Sequence, residues 1–245
     1  MKKRLILGMV FIVGLGIQTA WARAQATDAQ TLAAIQDKIY HTNAFKHGRV
    51  TATFENGVAT LTGTVDNLGS RTDAERAAGK VDGVTRVINT IQVRAEDFTP
   101  QQMVEEARKQ VVTYYACGIF DNIQLEAQAD KLIVTGQVTQ PFKKSDLTKI
   151  LARVKGVATF ENNLEVLPLS TNDDRLRTQV AQAIYGSSSL VNYGNRALPP
   201  IHIIVKNGNV TLEGAVGSKM DRQLAEFAAR STPLSFSVTN NLRVG

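Results

Sequence analysis

The sequence is poor in cysteine, in aromatic residues and in charge of one sign, and each shortage excludes a class of protein. Cys117 is the only cysteine, so no disulfide can form within the chain. A lone cysteine among apolar residues is typical of a buried side chain, and a reactive thiol is the alternative. The formal net charge is +6, but residues 1–24 hold four basic residues and no acid, which leaves 24 basic against 22 acidic residues. A near-neutral chain excludes a strongly basic nucleic-acid binder.

Long apolar runs are also scarce. The most apolar run begins at Leu5 and ends at Ile17, and its 13 residues are interrupted by glycines. About 20 apolar residues are needed to span a bilayer, so this run is too short for a membrane helix. Basic residues precede it and small residues follow, the pattern of a secretory signal peptide. We therefore predict an exported protein whose residues 1–24 are removed by cleavage near Ala24, with an uncleaved anchor as the alternative.

Motifs for catalysis and for metal binding are lacking. The three histidines, His41, His47 and His202, are scattered, and none has a second ligand at the spacing of a metal site. No phosphate-binding loop, nucleophile elbow or dinucleotide-binding glycine motif occurs. The sequence predicts a protein that is not an enzyme and has neither a cofactor nor a catalytic residue.

The chain does contain one unit three times. Thr27, Thr99 and Thr171 are 72 residues apart, and each stands before an apolar stripe with helical spacing. Each is therefore predicted to cap the N-terminus of a helix. A second helix is predicted later in each unit, over residues 70–80, 145–155 and 221–230, and Ser70 with Asp73 is predicted to cap the first of these.

A pair of strands separates the two helices in each unit. Gly63, Gly136 and Gly214 lie in the middle of alternating apolar segments, and an asparagine follows each glycine by 26 residues in a final strand. A glycine within a strand indicates a bulge or a close approach of backbones. The pattern predicts an α+β fold of three tandem α-β-β-α-β units, at 27–98, 99–168 and 169–245.

The third unit departs from the other two. It carries additional residues at about 187–200, between its first helix and its strand pair, and Leu234-Ser235 replaces the Gly-Val pair of the other units. The added residues predict a surface loop. A functional loop and a tolerated insertion both fit this pattern.

The repeated pattern resembles the BON domain. The resemblance is carried by the Asn-Gly turn and strand at 56–65 with Gly83-Val84, and by the strand at 131–138 with Gly156-Val157. Among BON-domain proteins, the exported OsmY-like group is the most similar, although three units depart from its common two. The resemblance implies a non-catalytic periplasmic module that binds phospholipid or supports the envelope, and an association with osmotic stress and with chaperoning of exported proteins.

This resemblance carries no short binding motif, so we predict the binding residues from their chemistry. In the second unit, Lys143, Lys144, Lys149 and Arg153 lie along one helix and its approach. They predict a basic face for anionic lipid headgroups, with about 1 kcal/mol per basic residue near the surface, and Phe142 inserts beside them. An ordinary solvated helix face is the alternative.

The third unit offers a second predicted surface. Lys219, Arg222 and Arg230 accompany Leu224 and Phe227 on its last helix. Alignment of the three copies directs alanines inward and leaves the two larger apolar residues partly exposed. Such a basic and apolar face suits a membrane interface, and packing against a neighbouring unit is the alternative.

Together these features predict a non-enzymatic periplasmic protein that contacts anionic phospholipid weakly through several linked units. Two alternatives stay open. One is a chaperone or adaptor that binds exported client proteins through exposed apolar patches. The other is a structural accessory that binds a larger envelope complex through sheet edges.

Overall fold

The computed structural model describes residues 13–196 and 199–245, with side chains from residue 27 onward. The chain forms two compact units, and the boundary between them lies between Arg94 and Ala95. The first unit holds one α-β-β-α-β module, here called module 1. The second holds two, modules 2 and 3. Most of the predicted signal peptide lies outside the described residues, and its cleavage stays a prediction.

The helices and strands follow the predicted order in every module. Module 1 contains α1 (Val13–Tyr40), α2 (Asn43–Lys46), β1 (Gly48–Glu55), β2 (Val58–Val65), α3 (Leu68–Ala78), β3 (Arg86–Asn89) and β4 (Gln92–Val93). Module 2 contains α4 (Pro100–Thr113), β5 (Asn122–Gln128), β6 (Lys131–Val138), α5 (Pro141–Leu151) and β7 (Thr159–Val166). Module 3 contains α6 (Thr171–Tyr185), α7 (Val191–Gly194), β8 (Ile201–Lys206), β9 (Asn209–Val216), α8 (Lys219–Arg230), β10 (Ser237–Asn240) and β11 (Arg243–Val244).

Each module has a small mixed sheet with its second strand in the centre. The first strand pairs with the second in antiparallel fashion, and the last strand or strands pair with the second in parallel. Alternate residues of the central strand face the helices, so Leu61, Val134 and Leu212 are fully buried. This arrangement confirms the predicted α+β fold.

The central glycines mark the closest backbone approach in each sheet. Gly63, Gly136 and Gly214 have φ angles of +120°, +111° and +112°. A Cβ atom at these positions would lie 2.0, 2.1 and 1.9 Å from a backbone carbonyl oxygen across the hairpin. These positions therefore require glycine, both for the conformation and for the space. The register of β1 with β2 continues past Gly63 without a bulge.

The helix caps follow the prediction in one module. Thr99 forms a capping box with Gln102, as predicted. Thr171 is the first residue of α6, and its cap is Ser170, whose hydroxyl accepts a hydrogen bond from the Asp173 amide at 3.2 Å. Thr27 lies inside α1, which continues through an alanine-rich stretch that favours helix. The predictions for Thr27 and Thr171 are therefore wrong.

The second helices begin earlier than predicted. Asn67 caps α3 by accepting a hydrogen bond from the Ser70 amide at 2.8 Å, so the predicted Ser70–Asp73 cap is wrong. In module 2 the helix begins at Pro141, because proline suits the first helical position, where its missing N–H costs nothing.

The added segment of module 3 completes its core. Leu190 and Tyr193 are buried there, so the segment is more than a surface loop. The Tyr193 hydroxyl accepts a hydrogen bond from the Gly217 amide at 2.7 Å and donates one to Asp221 Oδ2 at 2.8 Å. Ala197 and Leu198, in the same segment, lie outside the described residues.

Candidate interaction surfaces

Lys143 belongs to the interior of module 2. Its side chain is buried, and its Nζ donates to the two carboxylate oxygens of Asp121 at 3.0 and 2.7 Å and to Thr139 Oγ1 at 2.7 Å. Asp121 also accepts a hydrogen bond from the Gly118 amide at 3.0 Å. The predicted solvent-facing position of Lys143 is therefore wrong, because the buried carboxylate of Asp121 binds its ammonium group.

The other basic residues predicted to bind lipid in module 2 differ in their exposure to solvent. Lys144 Nζ donates to the Leu164 carbonyl oxygen at 2.6 Å and is half-buried. Lys149 is exposed and pairs with Asp146 at 3.2 Å, which holds the pKa of the Asp146 carboxyl below its usual value. Arg153 is exposed, and Phe142 is half-exposed. The structure does not bring four basic side chains onto one solvent-facing surface here.

Helix α8 presents an apolar face to solvent. The alignment of the three copies directs Ala225, Ala228 and Ala229 inward: Ala225 and Ala229 are fully buried, and Ala228 is half-buried against the core. Met220, Leu224 and Phe227 follow one another at intervals of four and three residues, so they share one face of the helix. Met220 is 62% exposed and Phe227 is 71% exposed, whereas Leu224 is half-buried.

The basic residues of α8 lie on two different sides of the helix. Lys219 and Arg230 are three helical turns apart and therefore lie on the same side of the helix. Lys219 is exposed and forms no ion pair in the part of the chain that the structure describes, while Arg230 pairs with Glu226 at 2.9 Å. Arg222 instead donates to the Asn240 carbonyl oxygen at 3.0 Å, at the end of β10. We call Met220, Leu224 and Phe227, together with Lys219 and Arg230, the α8 face.

Two further exposed apolar residues follow α8, and no pattern in the sequence predicts them as a surface. Leu234 is 56% exposed and Phe236 is 81% exposed. Leu234 has a φ angle of +72°, in the left-handed region where Gly83 and Gly156 of the other modules have +90° and +83°. A leucine in this conformation is strained, and such strain often marks a functional position. The replacement of Gly-Val by Leu234-Ser235 was the signal of this strain in the sequence.

Cys117 is a half-buried thiol in the connection between α4 and β5. Burial, with a smaller contribution from the nearby Asp121 carboxylate, raises the pKa of this thiol to about 12. The thiol is therefore protonated at neutral pH and is a poor nucleophile.

Over residues 13–196 and 199–245, no three His, Cys, Asp or Glu side chains come together in a way that could hold a metal ion. In the same ranges, no helix has both the length and the apolar character needed to cross a membrane.

The family model of the BON domain matches residues 27–95 and 172–245, which together make up more than half of the chain. Those two matches correspond to modules 1 and 3. Module 2 lies between them and has the same order of strands and helices.

Three solved structures are similar to this chain at low identity. A C-terminal domain of CdsD, described as the structural protein of the Type III secretion system of Chlamydia trachomatis, has 13% identity and a TM-score of 0.26 over 85% of this chain and 96% of that one. A second CdsD structure has 14% identity and a TM-score of 0.25 over 87% and 91%. The PrgH periplasmic domain has 13% identity and a TM-score of 0.20 over 86% and 99%. No curated protein matches the chain significantly.

Proposed function

The chain belongs to the BON-domain family, and we propose that it is a non-enzymatic periplasmic protein whose third module binds anionic phospholipid surfaces through the α8 face. In this role it supports envelope integrity or tolerance of osmotic stress. The observation that carries the proposal is the outward apolar face of α8. A helix that packs on a domain normally directs polar side chains to solvent, whereas α8 directs Met220 and Phe227 there.

The composition of the α8 face fits an interfacial helix. Transfer of one large apolar side chain out of water stabilises the bound state by about 1.5–3 kcal/mol. Lys219 beside the face adds about 1 kcal/mol near an anionic surface, Arg230 adds less because it pairs with Glu226 at 2.9 Å, and salt weakens this part. The sum corresponds to weak, reversible binding, which linked modules strengthen if they engage the same surface.

Module 2 contributes less to the proposed lipid contact than its sequence predicts. Lys143 and Lys144 use their ammonium groups inside the module, so only Lys149, Arg153 and Phe142 remain toward solvent. We therefore assign the main lipid contact to module 3.

Co-sedimentation with vesicles tests the proposal. The chain from Gln25 onward, the predicted exported form, is mixed with neutral and with anionic vesicles at low and high salt. We expect binding to anionic vesicles that weakens with salt, and a loss of at least about 100-fold in affinity when Met220 and Phe227 are both changed to Ser, since each loses more than about 1.4 kcal/mol of apolar transfer. Phe142→Ser is the matched control and retains binding. Equal binding to neutral vesicles, or equal losses in the two variants, contradicts the proposal.

The chaperone or adaptor alternative is favoured by one observation. Phe236 is 81% exposed and adds to the apolar surface of module 3. A client-binding role predicts that the chain suppresses aggregation of an unfolded exported protein in the absence of lipid, and that Phe236→Ser reduces this suppression.

A further inference from the structure

Strand β5 of module 2 forms one edge of its sheet, beside helix α4. Two adjoining cavities of about 510 and 490 Å³ follow this edge. They share Arg108 and Leu125, and Val104 and Val111 of α4 line the opposite wall. The result is a long groove between an edge strand and a helix, here called the α4–β5 groove.

The backbone of β5 points hydrogen-bonding groups into this groove. In module 3, the Ile203 amide of the edge strand β8 points away from the sheet and donates to the Ile119 carbonyl oxygen at 2.7 Å. Gly136 pairs with Ile123 just as Gly214 pairs with Ile201, so Leu125 is the equivalent of Ile203. The Leu125 amide therefore points outward.

The same direction repeats every second residue. Ile123 and Ala127 accordingly direct their backbone groups into the groove together with Leu125. Across the described parts of the chain, no backbone hydrogen bond joins these three residues to an element outside their own sheet.

The walls of the groove differ in charge along its length. Arg108 and Arg243 line the part next to the beginning of β5, and neither has an ion pair within the described residues. Glu213 lies in this part too and keeps its charge while it accepts a hydrogen bond from Asn241 at 2.8 Å, so the two arginines exceed it by one positive charge. The part next to the end of β5 carries Glu105, which pairs with Lys109 at 3.5 Å, and Glu126, with only the shared Arg108 to oppose them in the lining. An acidic group is therefore accommodated best at the arginine end.

We propose that the α4–β5 groove binds an extended peptide segment of an exported protein as an added strand on β5. Apolar side chains of the segment alternate against Val104 and Val111, and an acidic side chain lies near Arg108 and Arg243. Backbone hydrogen bonds give the affinity and the side-chain positions give the preference, as in other cases of strand addition. A row of backbone groups repeated every second residue matches a peptide backbone and has no counterpart in a lipid acyl chain.

The α4–β5 groove is independent of the α8 face, so the two sites can be tested separately. An eight-residue fluorescent peptide of alternating valine and threonine with one glutamate is titrated with the chain from Gln25, and binding is followed by anisotropy. Peptides methylated at single backbone nitrogens test strand pairing directly. We expect at least a tenfold loss for methyl groups at alternate positions and little loss at the positions between them. Hydrogen exchange at the Leu125 amide slows when the peptide is bound.

Charge reversal tests the acidic preference. Arg108→Glu and Arg243→Glu are each expected to weaken binding of the glutamate peptide at least fivefold and to leave its glutamine counterpart unchanged. Arg175→Glu is the control for net charge and retains binding, because Arg175 is exposed on α6 and lies outside the groove.

Two results overturn the inference, and a third overturns part of it. The first is that the chain does not bind the peptide. The second is that the loss of affinity caused by backbone methylation does not alternate from one peptide residue to the next. The third overturns the role of Arg108 alone: Arg108→Glu abolishes vesicle binding while peptide binding is retained, which assigns the arginine to a lipid surface. An alternating loss with no effect of either charge reversal supports strand addition and overturns the acidic preference.

Discussion

The carbonyl oxygen of Ile119 in module 2 accepts a hydrogen bond from the Ile203 amide of module 3 at an N···O distance of 2.7 Å. Ile119 and Phe120 also pack against the core of module 3, so the connection between α4 and β5 closes one side of that core. Asp121 follows directly, and its ion pair with Lys143 fixes the same connection. This contact explains why modules 2 and 3 form one compact unit.

The buried ion pair is expected to matter far more than an exposed one on the same helix. Lys143→Ala leaves Asp121 buried without its counter-charge and should lower the free energy of unfolding by about 3–5 kcal/mol. Lys149→Ala removes an exposed pair with Asp146, which water and salt screen, and should lower the free energy of unfolding far less. Urea unfolding of both variants measures the difference. Similar small losses in the two would show that Asp121 does not depend on Lys143.

The central glycine of module 2 is expected to tolerate no side chain. In Gly136→Ala, the new Cβ would lie 2.1 Å from the Asn122 carbonyl oxygen at a φ angle of +111°. We expect the free energy of unfolding to fall by about 1–3 kcal/mol. Gly118→Ala is the control, because a Cβ there meets nothing within 4 Å. A Gly136→Ala variant as stable as the control would contradict the close approach.

Leu234 is expected to lower the free energy of unfolding of the chain and to strengthen its binding to anionic vesicles. Leu234→Gly relieves the left-handed strain of about 1–2 kcal/mol, and the greater freedom of glycine in the unfolded chain offsets part of it, so a gain of up to about 1 kcal/mol remains. The same change removes an exposed apolar side chain and should weaken binding to anionic vesicles. Leu169→Gly changes an exposed leucine that is not in the left-handed region, so it should give no gain in stability and no loss of binding. A Leu234→Gly variant that is destabilised, or that binds vesicles unchanged, would remove this role.

Cys117 is expected to react slowly at neutral pH. Its pKa is raised from 9.0 to about 12, so at pH 8 the fraction of thiolate falls by about a thousandfold relative to an ordinary cysteine. The rate of alkylation by iodoacetamide should be at least about 100-fold lower in the folded chain than in urea, and should still rise with pH above pH 10. Equal rates in the two conditions would mean that the thiol is freely accessible and unshifted.

The repeat in the sequence was sufficient to predict the fold. Gly63, Gly136 and Gly214 occur at one register with alternating apolar neighbours, and both features follow from the pairing of the two hairpin strands. The first residue of a helix was not predictable in the same way, because Ser170 and Thr171 are both good caps and only the packed helix selects between them. The core role of Tyr193 depends on hydrogen bonds to residues 24 and 28 positions later in the chain, which no local pattern reveals.

The candidate surface was predictable where it depended on one helix. Ala225 and Ala229 identified the buried side of α8, and therefore the exposed position of Phe227. Lys143 could not be placed in this way, because its partner Asp121 lies 22 residues earlier. The groove beside β5 was not foreseen either, because it requires the position of α4 against the strand edge.

A single tryptophan at position 227 tests the central claim most directly. Trp21 is the only tryptophan and lies in the predicted signal peptide, so the chain from Gln25 has none and Phe227→Trp provides one fluorophore. The proposed membrane contact predicts a blue shift of its emission with anionic vesicles, quenching by brominated lipid chains, and reversal of both at high salt. Phe142→Trp in module 2 should show neither change. An unchanged spectrum at position 227, or a shift at position 142 alone, would contradict the assignment of lipid binding to the α8 face.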